Sequence, residues 1–289
     1  MKFVYCCIMG LRATFFAYLY SMNELVIILL IVAVVMLVIA KLWHRREQSV
    51  AAPEPAKPFA DEWRDILKKH VTFYENLTDE EKHIYERRVQ RFLNSKIIEG
   101  VKTEVDDRLR LLVASSAIIP TFAFPEYNYP GIRTVLIYPN SFNEQMEIEG
   151  DDDESRPVIG MLDNRSQNGS TIIFSESALV AAFNGRADKN NVGIHEFVHL
   201  LDKADGDVDG IPEILMERQY VAPWLSVVKK AARKIEMGKS DINPYALTNN
   251  AEFFAVAAEY FFERPDLLKS KHPELYDVLV KIFRTDTRK

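Results

Sequence analysis

Residues 190–202, NNVGIHEFVHLLD, constrain this chain more tightly than any other stretch of it. Ile194, Val198 and Leu201 recur at helical spacing, the buried stripe of an amphipathic helix, and His195 and His199 stand one turn apart on it. Both imidazoles therefore leave the helix on one face. Two His at i and i+4 with a Glu directly after the first form the H-E-x-x-H arrangement. In it the imidazoles bind zinc and the carboxylate, here Glu196, lies beside the open coordination position as general base. Catalytic zinc takes three protein ligands, so a fold built around this helix has to bring a third donor to it from elsewhere in the chain.

That donor is not a thiolate. The two cysteines, Cys6 and Cys7, both precede a long apolar run, so the remainder of the chain forms neither a disulfide nor a Cys-ligated site. His70, His83 and His272 stand in no comparable pattern. Residues 249–265, NNAEFFAVAAEYFFERP, read as a helix ended before Pro265, with Glu252 and Glu259 seven apart and so nearly on one face. A carboxylate among Phe and Ala is costly to bury unless a cation pairs with it, and zinc is such a partner. Glu252 or Glu259 is therefore the expected third ligand. Asp202, two turns beyond His195, is spaced to accept an imidazole N–H, or else to serve a helix end or loop. Asp205, Asp207, Asp209 and Gly210 imitate the opening of a calcium loop, but Met216 stands where its closing Glu belongs.

The 289 residues carry a net charge of −6, and the first 60 hold more base than acid, so the remainder is more acidic still. A nucleic-acid binder would show the opposite sign. Residues 25–40, LVIILLIVAVVMLVIA, are uninterruptedly apolar and, extended by Leu42 and Trp43, predict one transmembrane helix over residues 22–43. Lys41, Arg45 and Arg46 come after the apolar run, whereas only Glu24 lies just before it. The positive-inside rule then puts the C-terminal domain in the cytoplasm, on the inner membrane. An exported domain behind a cleaved signal peptide is the competing topology, although no small-x-small site offers a cut. Residues 1–21 read as an apolar extension or as an over-extended start before Met22, and residues 44–60, with several prolines, as a linker. Residues 61–289 remain as the catalytic domain. Its first part predicts helices over 62–70, 79–98 and 106–118, and its middle predicts short strands at 134–140 and 170–175, separated by an acidic loop at 147–156.

The pieces IYPNSF (137–142), GIHEFVHLLD (193–202), DGDVDGIP (205–212) and YALTNNAEFFAVAAEYFFERP (245–265) resemble the Mlc titration factor A family of zinc-dependent peptidases. The catalytic core of that family is similar to the lethal-factor type of zincin. The likeness runs from about Thr72 to Asp266. It implies that the third zinc ligand is the Glu of N-x-x-E-F-F-A, here Glu252, with Glu259 in a supporting role. It also implies that Tyr245 donates to the developing oxyanion. Peptidase activity on short peptides is implied too, and binding of a transcriptional repressor is a property of the family's namesake.

The expectation is an α+β, zincin-like metallopeptidase domain, mainly helical with a small mixed sheet, behind one N-terminal transmembrane helix. One zinc ion held by His195, His199 and Glu252 would activate water for hydrolysis of a peptide or protein substrate, with Glu196 as general base and Tyr245 on the oxyanion. The strand near residues 171–175 would flank the cleft. Endopeptidase and aminopeptidase cleavage both fit these residues. The alternative is a non-enzymatic regulator that binds a protein partner, with zinc in a mainly structural role.

Overall fold

The computed structural model describes residues 36, 58–141, 160–163, 170–184 and 189–285. The chain divides into two compact units at Pro58 and Phe59. Apart from Met36, the apolar run lies outside the described residues, as do most of the predicted linker and the acidic loop. Among the described residues no helix is long and apolar enough to cross a membrane.

The second unit opens with helices. α1 (Asp61–His70) has acidic residues in its first turn and basic ones in its last, complementing the helix dipole. After the short α2 (Thr72–Glu75), α3 (Asp79–Ser95) starts on a capping box in which Thr78 and Glu81 bond each other's backbone N–H. Residues 96–98, predicted as helix, are not helical: Lys96 is extended and Ile97–Gly100 form strand β1. The chain is held there because Lys96 Nζ donates to the carbonyls of Tyr129 and Ile132, at 2.7 and 2.9 Å, and Ile98 enters the core. α4 (Asp107–Ile118) is capped by the Asp106 carboxylate and is buried along most of its length.

β2 (Ile132–Tyr138) and β4 (Ser170–Ser175) form where β-branched residues predict them, and β3 (Gly160–Asp163) joins them. The sheet order is β1-β2-β4-β3. β1, β2 and β4 run parallel, and β3 pairs antiparallel with β4, Gly160 opposite Phe174. The fold is thus mainly helical with a small mixed sheet. α5 (Glu176–Ala182) comes directly after β4.

α6 (Val192–Asp202) carries the two histidines, α7 (Val221–Glu236) is amphipathic, and α8 (Asn250–Glu263) packs along α6. α9 (Pro265–Lys271) and α10 (Pro273–Ile282) each begin on a proline that ends the helix before it. Phe197 anchors α6, meeting Tyr129 edge-on at 4.9 Å and Phe92 at 5.8 Å. Trp224 of α7 is buried between Phe253 and Phe254 of α8, and its Nε1–H donates to the Gly210 carbonyl at 2.7 Å.

Gly210 sits at φ +77°, and a Cβ there would lie 2.3 Å from the carbonyl oxygen of Asn250. Both the backbone conformation and the contact exclude a side chain. Gly210→Ala is expected to lower unfolding free energy by about 2–4 kcal/mol, read as a shifted midpoint in chemical denaturation. A loss within about 0.5 kcal/mol, the size of an ordinary surface substitution, would show that the loop relaxes away from α8.

Candidate metal centre

α6 begins on Asn191, whose side-chain oxygen accepts the Ile194 N–H at 3.0 Å, and α8 begins on Asn249, whose side chain accepts the Glu252 N–H at 2.9 Å. The two N-caps set the phase of both helices and thereby the faces that meet. On α6 the apolar stripe of Ile194, Phe197, Val198 and Leu201 is buried, which turns His195 and His199 toward α8.

Three donor atoms converge there. His195 Nε2 lies 3.0 Å from Glu252 Oε2 and 3.1 Å from His199 Nε2, and His199 Nε2 lies 3.4 Å from the same carboxylate oxygen. All three side chains are largely buried, between 13% and 16% exposed. Among the described residues this is the one group of three His, Asp or Glu side chains close enough to hold a metal. Ligands bound tetrahedrally at about 2.0–2.1 Å stand about 3.3 Å apart, so the triangle matches zinc. Two imidazole nitrogens facing each other beside a carboxylate suit a shared cation, a proton or a metal ion. Although burial disfavours charge on His195, its hydrogen bonds to Glu252 and Glu259 outweigh it and hold the ring's pKa well above its usual range. Burial likewise opposes charge on Glu252, yet the two imidazoles bring its pKa down to about 2. The pocket is built for positive charge.

The other nitrogen of His195 identifies what orients the ring. His195 Nδ1 donates to Glu259 Oε1 at 2.7 Å, so that Nε2 is the nitrogen that faces Glu252 and His199. Glu259 Oε2 accepts the backbone N–H of Asn191, so one carboxylate on α8 fastens both the cap of α6 and its first histidine. Asp202, the other candidate for this role, does not reach His195. It is buried and accepts the Gly210 N–H at 3.0 Å, and burial pushes its pKa up to about 6 despite that bond. Asp205 and Asp209 accept hydrogen bonds from backbone N–H groups of their own loop, and among the described residues the loop carboxylates do not converge as a group of three metal donors. Glu259→Gln is expected to weaken zinc binding about 10- to 100-fold in competition with a chromophoric chelator. Glutamine's NH₂ would face either the Asn191 N–H or the His195 N–H. Unchanged affinity would remove Glu259 from the support of the site.

Glu196 is 7% exposed, and burial raises its pKa while the neighbouring imidazoles oppose the rise. It faces β3: a Cβ at Gly160 would stand 2.8 Å from Glu196 Oε1 and 2.7 Å from Val192 Cγ2. The strand that Gly160 brings against the α6 carboxylate is β3, at the edge of the sheet, and β4, containing residues 171–175, pairs with it on the interior side. A short glycine-led segment gives little strand signal, and its proximity to Glu196 depends on sheet order.

Tyr245 lies on a 3-10 turn, Pro244–Leu247, capped by the Asn243 side chain. Its ring centroid is 6.2 Å from that of His195, and its side chain is partly open to solvent.

Comparison with known proteins shows the family of the chain. The family described as glucose-regulated metallo-peptidase M90 matches residues 41–284. An uncharacterized protein of Synechocystis is 29% identical over 78% of this chain and 85% of its own length. Mlc titration factor A of Escherichia fergusonii is 31% identical over 76% of this chain and 84% of its own, and that of Cronobacter sakazakii 29% over 84% and 91%. With the family match spanning more than four-fifths of its length, this chain belongs to the M90 metallo-peptidase family, together with the Mlc titration factor A proteins.

Proposed function

We propose that this protein is a zinc-dependent peptidase whose metal is held by His195, His199 and Glu252. The observation that carries the reading is the triangle of donor atoms, 3.0–3.4 Å on a side, beside a buried carboxylate that is not one of them. A structural zinc site is closed by four protein ligands, and such a role has no use for Glu196. Zinc in that position supplies Lewis-acid polarisation of the scissile carbonyl and makes water easier to deprotonate.

The chain's own groups do the rest. Glu196, with its pKa raised by burial, is suited to take a proton from the attacking water and return it to the leaving amine. Tyr245, beside His195 and open to solvent, is suited to donate its phenolic O–H to the oxyanion. Glu259 holds the His195 tautomer throughout.

The test is metal analysis of the purified full-length protein together with hydrolysis of quenched fluorescent peptides, before and after chelation. About one zinc per chain, and cleavage that chelation abolishes and zinc restores, are expected. Stoichiometric zinc without cleavage of any peptide would overturn the reading in favour of a binding protein. Tyr245→Phe is expected to keep zinc and lower kcat by about 10²-fold, the scale of one lost oxyanion donor. An unchanged kcat would strike Tyr245 from the mechanism.

The apolar run and the basic residues after it support a single-pass anchor with the peptidase unit facing the cytoplasm. Protection of the C-terminal tail from protease added to intact cells checks this orientation, and digestion of the tail would reverse it.

A further inference from the structure

The loop between α7 and the Tyr245 turn carries one carboxylate with an unusual number of partners. Asp241 Oδ2 accepts from Lys189 Nζ at 2.6 Å and from Lys271 Nζ and the Tyr260 hydroxyl, each at 2.9 Å, and Oδ1 accepts from His272 Nε2 at 2.8 Å. Lys189 Nζ also reaches the Asp241 carbonyl at 2.6 Å and lies 4.7 Å from the centroid of the Tyr260 ring. Burial works against the charge, but these donors hold the Asp241 carboxyl well below the usual carboxylate range.

The partners come from three parts of the site's frame. Lys189 leads into Asn191, the cap of α6; Tyr260 is next to Glu259 on α8; Lys271 and His272 form the junction of α9 and α10. From Asp241 to Tyr245 the chain has little slack. Ile242 is buried, Asn243 accepts the Tyr245 N–H at 3.0 Å and reaches Asn190 at 3.4 Å, and Ala246 is buried. The Tyr245 carbonyl in turn accepts the Thr248 hydroxyl at 2.8 Å.

We propose that Asp241 is a positioning residue for Tyr245: it ties the turn that carries the tyrosine to the elements that carry His195 and Glu252. The proposal rests on the peptidase reading for its catalytic consequence, and on the network alone for its structural one. Catalytic groups displaced by about 1 Å lose up to about 10²-fold in rate, so the tether acts on the tyrosine's contribution and not on the metal.

The test compares full-length wild type, Asp241→Asn, Tyr245→Phe and the double variant, with Lys271→Gln as a milder variant that removes one partner of Asp241. Amide hydrogen exchange, zinc content and kinetics on a quenched peptide are measured well below each protein's melting temperature. Asp241→Asn is expected to retain zinc and to speed exchange in residues 242–248 while α6 and α8 stay protected. It is also expected to lower kcat about 10-fold with KM within about 2-fold. In the Tyr245→Phe background the same substitution is expected to cost less than about 2-fold, because the contribution it supports is already gone. Lys271→Gln shows the same exchange pattern at smaller amplitude.

Unchanged exchange at 242–248 would overturn the proposal. So would loosening that spreads to α6 and α8, or rate losses that multiply fully in the double variant, since these describe a general scaffold. Wild-type protein that holds zinc and cleaves no peptide overturns the peptidase reading instead, while the exchange pattern still decides whether Asp241 positions the turn.

Discussion

Glu196→Gln is expected to leave about one zinc per chain and to lower kcat by about 10²–10⁴-fold on any peptide that the wild-type protein cleaves, the range removed with a positioned general base. Glutamine matches glutamate in shape, so the 7% exposed pocket beside Gly160 is filled as before, and none of the three metal donors is touched. What disappears is a proton acceptor whose pKa burial has already raised. Because burial penalises the charged carboxylate, the neutral amide costs the fold nothing and thermal stability is expected to hold or rise slightly. Metal analysis and steady-state kinetics on the same preparation check both halves. Turnover within about 3-fold of wild type, far short of the loss a general base predicts, would remove that role, and loss of zinc would mean that Glu196 supports the metal instead.

The second large effect is on the metal itself. His199→Ala removes one corner of a triangle whose sides are 3.0–3.4 Å, leaving His195 and Glu252 to hold zinc alone. Zinc is expected to fall well below one per chain after dialysis, and peptide cleavage to fall to background. The variant should still fold, because Phe197, Val198 and Leu201, which anchor α6, are untouched. Circular dichroism at wild-type amplitude with zinc lost is the expected pair of results. Full zinc occupancy in this variant would mean that the metal sits elsewhere, and would overturn the ligand assignment.

Much of the site was open to reading because its elements are local. The two histidines follow from helical spacing around Ile194, Val198 and Leu201, and the Asn caps of α6 and α8 stand in the sequence directly before the residues they align. β2 and β4 follow from runs of β-branched residues. The choice between Glu252 and Glu259 did not follow from spacing, since seven residues bring both to nearly one helix face. Family resemblance favoured Glu252, and the geometry separates the two by which imidazole nitrogen each one meets. Asp202, spaced either to accept an imidazole N–H or to serve a helix end or loop, takes the loop role and accepts the Gly210 N–H.

β1, β3 and the Asp241 network had no local signature. A four-residue strand exists through its partner: β1 through its pairing with β2, and β3 through its pairing with β4. Asp241 reads in the sequence as one loop aspartate among many, and its partners lie between 19 and 52 residues away.

The sequence by itself determined that two imidazoles share a helix face, that no cysteine follows Cys7, and that a second apolar helix carries two carboxylates nearly on one face. These follow from periodicity and composition, which each residue carries with it. Only the tertiary structure decided which carboxylate meets which nitrogen, that an edge strand lies against Glu196, and that Asp241 gathers Lys189, Tyr260, Lys271 and His272. Those facts depend on how helices dock and strands pair, contacts between residues far apart in the chain whose energies no local pattern encodes.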